Sequence, residues 1–482
     1  MIFNSFQFLI FFVVVTTLYF ALDHKWRWAL LLISSCYFYM AFVPVYILIL
    51  GFTIVIDYFA AIYIENAVGK RRKLFLVCSL LANIGILAVF KYYNFINFNL
   101  SILFERFDAA NPIPFLSILL PVGLSFHTFQ AMSYTIEVYR GKQKAERHFG
   151  IYSLYVMFYP QLVAGPIERP QNLLHQFWEK HEFNYTDAAS GLKLMAWGLF
   201  KKVVIADRLA RVVNTVYDHP GEYGTFGLVL ATFFFAYQIY CDFSGYSDIA
   251  IGAARVMGFR LMRNFDAPYH SKSISEFWRR WHISLSLWFR DYVYIPLGGN
   301  RVAVPRLYFN IFIVFLLSGL WHGANWTFIA WGALHGFYLV FALATENWRK
   351  RISSNLRLDR FPIISVFITF VLVCFAWIFF RAANVDTAWQ IVTRIFTGVP
   401  ELVTQVLNHQ SIPYGTGRKE LELCILLIVL LETVQYLQAH TKLVERFNQS
   451  PSLLRWSGYL IFLFAILVFG IFEETQFIYF QF

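Results

Sequence analysis

Long apolar runs alternate with short polar stretches along most of this 482-residue chain. A helix that crosses the hydrocarbon core of a bilayer needs about 20 mostly apolar residues. Several of the runs are short for a full crossing, which predicts half-helices or tilted segments among them. The runs lie at 6–22, 27–42, 46–63, 73–91, 113–136, 190–206, 224–241, 307–320, 324–345, 361–380, 419–437 and 453–471. The pattern predicts an all-α polytopic membrane protein.

Two segments depart from this pattern. The apolar segment 149–166 contains Pro160 and ends in Gly165 and Pro166, and proline breaks helical hydrogen bonding. Irregular backbone at membrane depth needs protein or a water-filled cavity around it, which favours a re-entrant half-helix; an ordinary kinked span stays open. Residues 242–306 are basic and aromatic without a 20-residue apolar run, and this composition predicts short amphipathic helices at the inner interface.

Charge sets the expected orientation. Charged residues make up only 14% of the chain, and its net charge of +11 fits the Lys and Arg of cytoplasmic loops better than nucleic-acid binding. The basic stretches 25–27, 69–73, 140–147 and 347–351 fall on one side if the N-terminus is outside. We therefore expect a multi-pass protein of the cell inner membrane, in contact with lipid, with an external N-terminus.

The chain offers no internal repeat or linker that would divide it. We expect one membrane domain over 1–482, made of N-terminal helices (1–140), a core with the candidate residues (141–346) and C-terminal helices (347–482). The five cysteines include no CxxC pair, so neither a disulfide framework nor a metal site is indicated. No bound cofactor is expected.

The first candidate cluster is SGLWHGANW, residues 318–326. The surrounding run 307–344 contains no Lys, Arg, Asp or Glu, and its ionisable groups are His322 and His335. An ionisable residue inside a membrane segment indicates function, although a neighbouring helix can also satisfy a neutral histidine. Small residues leave room beside His322 for a packed helix or a slender substrate, and Asn325 is placed to hold one ring nitrogen. These small residues are Gly319, Gly323 and Ala324.

The second cluster, within 276–301, is rich in arginine and tryptophan around His282. Guanidinium groups suit lipid phosphates or an anionic ligand, and indole rings suit an interface where one edge is wet. Plain interfacial anchoring stays open as the alternative. The residues concerned are Arg279, Arg280, Arg290, Arg301, Trp278, Trp281 and Trp288.

A third polar stretch is CDFSGYSDIAIG, 241–252, which places Asp242, Ser244 and Asp248 near the end of an apolar run. It is either a polar helix connection or the lining of a cavity. The chain has no GxSxG elbow, Walker loop or HExxH motif, which argues against a serine hydrolase, an ATP-driven pump and a zinc protease. A histidine acting as general base remains.

At this point a resemblance can be named. The run FWRRWHISLSLWFRDYVYIPLGGNR, followed by LWHGANWTFIAWGALHG, closely resembles the membrane-bound O-acyltransferase family, and more narrowly its alginate O-acetylation branch. DFSGYSDIAIG and AGP at 164–166 match that family too. The resemblance covers nearly the whole chain. It implies a ring of tilted membrane helices around a thinned centre, with a tunnel through it and with interfacial and re-entrant helices.

The resemblance also implies roles for residues. His322 matches the catalytic histidine, His282 matches the second motif histidine, and His335 belongs to the motif with a less certain role. Side chains in or near the motifs are candidates for binding the donor or substrate. These are Arg279, Arg280, Trp281, Arg290, Asn325, Asp242 and Ser244.

The function that follows is acyl transfer across the membrane. A cytoplasmic thioester such as acetyl-CoA would supply an acetyl group for O-acetylation of an exported, alginate-like polysaccharide, directly or through periplasmic transferase partners. His322 would take the proton of the acceptor hydroxyl, and His282 or Asn325 would donate to the developing oxyanion. D-alanyl transfer to teichoic acid and O-acetylation of peptidoglycan or cellulose are alternatives with the same chemistry. A transporter or flippase is an alternative of a different class.

Overall fold

The computed structural model describes residues 1–117, 121–163, 165–355, 360–473 and 477–480. These residues form helices joined by short loops, so the predicted all-α architecture is confirmed. The helices are α1 Phe6–Ala21, α2 His24–Met40, α3 Tyr46–Asn66, α4 Lys70–Leu87, α5 Tyr93–Glu105, α6 Leu124–Tyr139, α7 Phe149–Met157, α8 Tyr159–Leu162, α9 Pro170–Leu173, α10 Tyr185–Leu199, α11 Asp207–Asp218, α12 Thr225–Val256, α13 Ile274–Arg280, α14 Ile283–Phe289, α15 Val304–His322, α16 Trp326–Ala344, α17 Glu346–Asn355, α18 Pro362–Arg381, α19 Val385–Thr397, α20 Val399–Leu407, α21 Arg418–His440, α22 Leu443–Gln449 and α23 Ser452–Phe469.

Short segments of other helix types complete this list. Three π-helical segments continue α4, α10 and α14, and the first joins α4 to α5. They are Ala88–Tyr92, Phe200–Ala206 and Arg290–Tyr294. The 3₁₀ segments are Leu174–Phe177, Pro220–Glu222, Pro268–His270 and Ile478–Phe480.

Within the described residues, seven helices are long and apolar enough to cross a bilayer, and each falls on a predicted run. They are Tyr46–Asn66, Lys70–Glu105, Thr225–Val256, Val304–His322, Trp326–Ala344, Pro362–Arg381 and Ser452–Phe469. The other predicted runs are also helical, but they are shorter or more charged. The run predicted at 113–136 includes residues 118–120, which lie outside the described residues, and its helix begins only at Leu124.

The long helix α12 corrects one prediction. The run predicted at 224–241 continues as helix to Val256, so the polar stretch 241–252 lies inside a helix and is not a connection. Asp242 and Asp248 do not end the helix because two lysines of the π segment Phe200–Ala206 pair with them. Lys202 Nζ lies 2.7 Å from Asp242 Oδ1, and Lys201 Nζ lies 2.7 Å from Asp248 Oδ2.

Glycines allow α10 and α12 to pack with their backbones close together. A Cβ atom added to Gly198 or Gly245 would lie 2.5 and 2.7 Å from the other's carbonyl oxygen. The pair Gly191 and Gly252 has the same geometry, at 2.6 Å in both directions. Small residues at helix contacts in membranes permit this approach. The glycines of the polar stretch therefore serve helix packing.

The segment 149–166 is broken, as its proline predicts. The helices α7 and α8 meet at Phe158, so one continuous kinked span is excluded for the residues described, and Ala164 lies outside them. The backbone N–H of Tyr159 is satisfied by Ser35 Oγ on α2, at 3.0 Å. Buried polar backbone is thus paired through tertiary contacts where the helix cannot pair it.

The basic, aromatic segment forms the short helices that its composition predicts, but its indole rings are not at a wet surface. Trp278, Trp281 and Trp288 expose only 8%, 1% and 4% of their surface, so the predicted interfacial position of these rings is wrong. Trp288 stacks on Phe129 of α6 with ring centroids 3.7 Å apart. Trp281 packs 5.2 Å from Trp377 of α18. The segment is therefore part of the core that surrounds both motif histidines.

Candidate active site

His322 is the last residue of α15, and its side chain has no hydrogen-bond partner among the described residues. The helix ends there and α16 begins at Trp326, so the non-helical residues fall close to the gap between the apolar runs predicted at 307–320 and 324–345. The residue is only 3% exposed, and neither Nδ1 nor Nε2 is satisfied. Leaving buried polar atoms unpaired is costly, so this imidazole is one of the groups of the described chain whose hydrogen-bonding capacity is unused.

Aromatic rings enclose the His322 imidazole. The rings of Trp321 and Trp331 lie 4.9 Å from it, and those of Phe380 and Tyr479 lie 5.4 and 5.5 Å away. A cavity of about 40 Å³ opens beside the imidazole. We call it the His322 cavity. Its polar lining comes from distant parts of the chain and includes Lys91, Ser125, His322 and Tyr479.

His282 lies on the same aromatic wall, so the structure brings the two motif histidines together. Its ring centroid is 6.1 Å from Trp321 and 6.4 Å from Tyr479, which are the two rings that also contact His322. The backbone of His282 is left-handed, with φ of +42°, which is rare outside glycine. Strained backbone is retained where the surrounding structure enforces it, often at functional sites.

The hydrogen bonds of His282 fix its tautomer. Asn264 Oδ1 accepts from the backbone N–H of Ser284 at 3.2 Å, so this atom is an oxygen, and it also lies 3.2 Å from His282 Nδ1. His282 Nδ1 must therefore carry the hydrogen. Burial lowers the pKa of the His282 imidazole to about 3, so the ring is neutral and Nε2 holds a lone pair. This Nε2 has no partner within the described residues and can accept a hydrogen bond.

Lys91 binds the end of the helix that carries His322. Its Nζ donates to the carbonyl oxygens of Trp321 and His322, at 2.7 and 2.9 Å. The neighbouring Tyr92 hydroxyl donates to the carbonyl of Leu320 at 2.7 Å. Both residues belong to the π segment Ala88–Tyr92. A cation at the C-terminal carbonyls of a helix is favourable because these groups carry partial negative charge.

Sequence reasoning missed Lys91, Asn264 and Tyr479. The signal for Lys91 was present, because it is the only charged residue between Lys73 and Glu105 in a long apolar run. The rule that marks intramembrane ionisable residues applies to it as well as to His322. Nothing in the local sequence marks Asn264 or Tyr479, which reach the site only through tertiary structure.

Asn325 does not hold a ring nitrogen of His322, which corrects the predicted contact. Its side chain caps α16 by accepting from the backbone N–H of Thr327 at 3.1 Å, and it donates to the carbonyl of Ala383 at 3.0 Å. The small residues of this stretch also serve packing. A Cβ atom on Gly319 would lie 2.2 Å from the carbonyl oxygen of Phe328, so the room there is taken by α16.

His335 lies next to the cluster but has a different environment. The Trp278 indole N–H donates to His335 Nδ1 at 3.2 Å, and the Trp331 ring lies 5.0 Å from the imidazole. The Trp331 ring also contacts the His322 ring, with the two ring centroids 4.9 Å apart. His335 therefore supports the wall behind His322.

The remaining predicted site residues lie away from the His322 cavity. Arg280 pairs with Glu276 at 2.7 Å, Arg290 pairs with Asp291 at 2.7 Å, and Arg279 is exposed. Trp281 is packed in the aromatic core, as described above. Ser244 accepts from Lys201 Nζ at 2.8 Å, and Asp242 pairs with Lys202. Their assignment to donor or substrate binding stays a prediction.

Comparison with known proteins decides the family. The model of the membrane-bound O-acyltransferase family matches residues 148–384. AlgI of Pseudomonas aeruginosa, described as a probable alginate O-acetylase, is 40% identical over 403 residues, which are 82% of this chain and 75% of that protein. The chain belongs to the membrane-bound O-acyltransferase family. The matched region of this acyltransferase contains His282 and His322, with the helices α7 to α18 around them.

Two further relatives show the breadth of the family. The peptidoglycan O-acetyltransferase of Helicobacter pylori is 32% identical over 496 residues, which cover 94% of this chain and 91% of that protein. The teichoic acid D-alanyltransferase of Bacillus subtilis is 29% identical over 276 residues, 54% of this chain and 68% of that protein. The chain is thus a multi-pass membrane acyltransferase that uses an acyl donor, and the transporter alternative is set aside.

Proposed function

We propose that this acyltransferase moves an acetyl group from acetyl-CoA on the cytoplasmic side to an exported, alginate-like polysaccharide. The observation that carries the proposal is His322, a buried imidazole with two unpartnered nitrogens beside a cavity at a helix break. The similarity to AlgI supplies the acceptor class. Periplasmic transferase partners would complete delivery to the polymer, and the protein would lie in the inner membrane with its N-terminus outside.

His322 would act as the general base. A ring nitrogen takes the proton of the acceptor hydroxyl while the hydroxyl oxygen attacks the thioester carbonyl carbon. Base catalysis of this kind contributes about 10²–10⁴-fold. The surrounding indole and phenyl rings keep bulk water from the thioester, which limits hydrolysis. His282, with its accepting Nε2 fixed by Asn264, would orient the acceptor by receiving a hydrogen bond from a second hydroxyl of the same molecule, because the reacting hydroxyl gives its only proton to His322.

The test is replacement of His322 by Gln and by Ala in a strain that lacks the wild-type gene. We expect both variants to insert in the membrane at wild-type levels and to lose polymer O-acetylation by at least about 100-fold, because the base is gone. The control is His440→Gln, which changes an exposed histidine at the end of α21. Wild-type O-acetyl content in the His322 variants would refute the catalytic assignment.

A second acceptor has its own support. The relative described as a peptidoglycan O-acetyltransferase aligns with 94% of this chain, a larger share than the 82% that aligns with AlgI. Analysis of released muropeptides beside exported polysaccharide separates the two acceptors in the same deletion strain. If the deletion strain loses acetyl groups from muropeptides alone, the acceptor is peptidoglycan and not the exported polysaccharide. Loss of D-alanine esters would favour teichoic acid as the acceptor.

A further inference from the structure

Acyl transfer at His322 requires a group that holds the carbonyl oxygen as it becomes negative. When the acceptor oxygen adds to the thioester carbon, the proton passes to His322 and the carbonyl electron pair moves onto oxygen. The oxyanion then collapses and expels the thiolate, which takes the proton from the imidazolium. Donors aimed at the oxyanion are often the largest single catalytic contribution.

Neither side chain that the sequence suggested for this task can perform it in the observed arrangement. His282 uses its only N–H on Asn264, which leaves Nε2 as an acceptor. Asn325 is held by Thr327 and Ala383. The donor must therefore come from another part of the His322 cavity.

We propose that Lys91 and the first turn of α6 form the oxyanion site of this enzyme. The inference rests on the proposed function of His322 and names the residues that complete it. Both elements line the same cavity as His322. A lysine side chain and the first turn of a helix can each present N–H donors to a ligand. They approach from parts of the chain about 200 residues before the histidine.

In its protonated form, Lys91 has a donor to spare. An ammonium group has three N–H donors, and two of them bind the carbonyls of Trp321 and His322. These two bonds fix Nζ beside the backbone of the proposed base, and the third N–H has no partner among the described residues. A fixed cation in a site without bulk water stabilises a nearby oxyanion more strongly than it would in water.

The first turn of α6 adds one main-chain donor, the N–H of Ser125. Gly123 has a left-handed φ of +75°, and a Cβ there would lie 2.9 Å from the carbonyl oxygen of Leu162, so glycine is required to turn the chain into α6. Ser125 lines the cavity, and its backbone N–H has no acceptor within the described part of the chain. The first N–H groups of a helix lack internal acceptors and carry partial positive charge.

A second observation points to a ligand at this helix end. The imidazole of His322 is 3% exposed, lines the cavity and has both nitrogens unpartnered. One small cavity is therefore lined by an unsatisfied base, by a lysine whose ammonium form has a third N–H, and by Ser125, whose backbone N–H has no acceptor among the described residues. This is the set of groups that addition of a hydroxyl to a thioester carbonyl requires.

The test uses membranes that contain the full chain and its native partners. Release of CoA thiol from acetyl-CoA is followed at varied donor concentration for Lys91→Met and Ser125→Ala. We expect Lys91→Met to lower kcat by about 100-fold with little change in KM, because an oxyanion donor acts only in the transition state. Ser125→Ala removes a cavity hydroxyl but keeps the backbone N–H, so its kcat should fall by less than about tenfold.

Two lysine variants separate charge from fold. Lys91→Arg keeps the charge and should retain much more activity than Lys91→Met. Lys73→Met removes an exposed lysine of α4 and should behave as wild type. Two non-hydrolysable analogues of the donor add a second measurement, the ratio of their binding affinities. This ratio should not change if Lys91 only supports the fold. S-(3,3,3-trifluoroacetonyl)-CoA readily forms an oxyanion-like adduct, whereas S-acetonyl-CoA stays neutral.

Wild type and Lys73→Met should bind the trifluoromethyl ketone more tightly than the methyl ketone, and Lys91→Met should lose most of this preference. Retention of the full preference in Lys91→Met, or a kcat equal to that of wild type, would overturn the inference. His322→Gln in the same membranes keeps the two proposals distinct. If His322→Gln is inactive and Lys91→Met is fully active, the oxyanion proposal is refuted and the proposed function stands. If His322→Gln is active, the proposed function itself is refuted.

Discussion

His322 has two unpaired nitrogens because of where its backbone lies. As the last residue of α15, it is followed by three residues that are not helical, so the next turn of helix does not cover its ring. Its backbone carbonyl is held by Lys91, and aromatic rings surround its side chain. The rings pack around the imidazole, and no hydrogen bond joins them to its nitrogens among the described residues. The residue is therefore positioned rigidly while its polar atoms remain available.

Tyr479 provides a prediction at the level of a single atom. The residue lines the His322 cavity, and its hydroxyl has no hydrogen-bond partner in the described part of the chain. We expect Tyr479→Phe to lower the transfer rate by about tenfold, the effect of losing one hydrogen bond to a bound substrate. The measurement is release of CoA thiol from acetyl-CoA in membranes.

The matched control for this change is Tyr185→Phe, because the Tyr185 side chain is 77% exposed at the start of α10. Equal rates for Tyr479→Phe and Tyr185→Phe would mean that the Tyr479 hydroxyl has no part in transfer.

At the level of elements, the site depends on π-helical segments and on a close helix pair. The segment Ala88–Tyr92 directs Lys91 and Tyr92 toward successive carbonyls of α15, and the segment Phe200–Ala206 directs two lysines toward α12. Such π segments within helices are rare and occur frequently at functional sites. Each adds a residue to a turn and so changes which side chains face the neighbouring helix.

The contact between α15 and α16 gives a prediction about packing. A Cβ atom on Gly319 would lie 2.2 Å from the backbone carbonyl of Phe328, which cannot move as a side chain would. We expect Gly319→Ala to destabilise the protein by about 1–3 kcal/mol, the usual cost of overpacking, and to lower activity by shifting His322. The measurement is the temperature of half-loss of the monodisperse peak after heating in detergent.

Gly85→Ala is the control for this prediction. A Cβ atom on Gly85 in α4 meets nothing within 4 Å, and alanine is the better helix former. That variant should match or slightly exceed the wild-type temperature. A Gly319→Ala protein as stable as Gly85→Ala would show that the α15–α16 contact tolerates a methyl group.

For the whole molecule, the C-terminal segment is tied back to the centre of the chain. The backbone N–H of Ile471 donates to the carbonyl of Val203, and that of Ile478 donates to Asp242 Oδ2, at 2.9 and 2.7 Å. Asp242 therefore contributes indirectly, because it holds the turn that carries Tyr479 into the cavity. Tyr479, close to the end of the described chain, is therefore part of the lining of the site.

Orientation in the membrane is a prediction for the whole molecule. The basic stretch at 69–73, which begins α4, should face the cytoplasm, because Lys and Arg are retained on that side, and the loop before α3 should face outward. In a cysteine-free background, Val45→Cys should react with a membrane-impermeant maleimide added to intact cells. Arg71→Cys should react only after the cells are opened. Labelling of Arg71→Cys in intact cells would reverse the proposed orientation.

The sequence by itself determined the helical membrane architecture and the two motif histidines. The reason is physical: spanning requires long apolar runs, and an ionisable side chain such as His322 is conspicuous within one. The helix break just before Pro160 follows from local chemistry in the same way. The length of α12 did not follow, because the lysines that neutralise its aspartates come from a separate helix.

Only the tertiary structure decided which polar groups meet at the cavity. Lys91, Ser125, His322 and Tyr479 span most of the chain, and their proximity depends on helix packing that no local pattern encodes. Tertiary structure also decides which predicted groups do not reach the cavity. Asn325 caps α16, and Arg280 and Arg290 pair with neighbouring carboxylates. Motifs identify residues with chemical capacity, whereas packing decides which of those residues have unpaired atoms facing a common cavity.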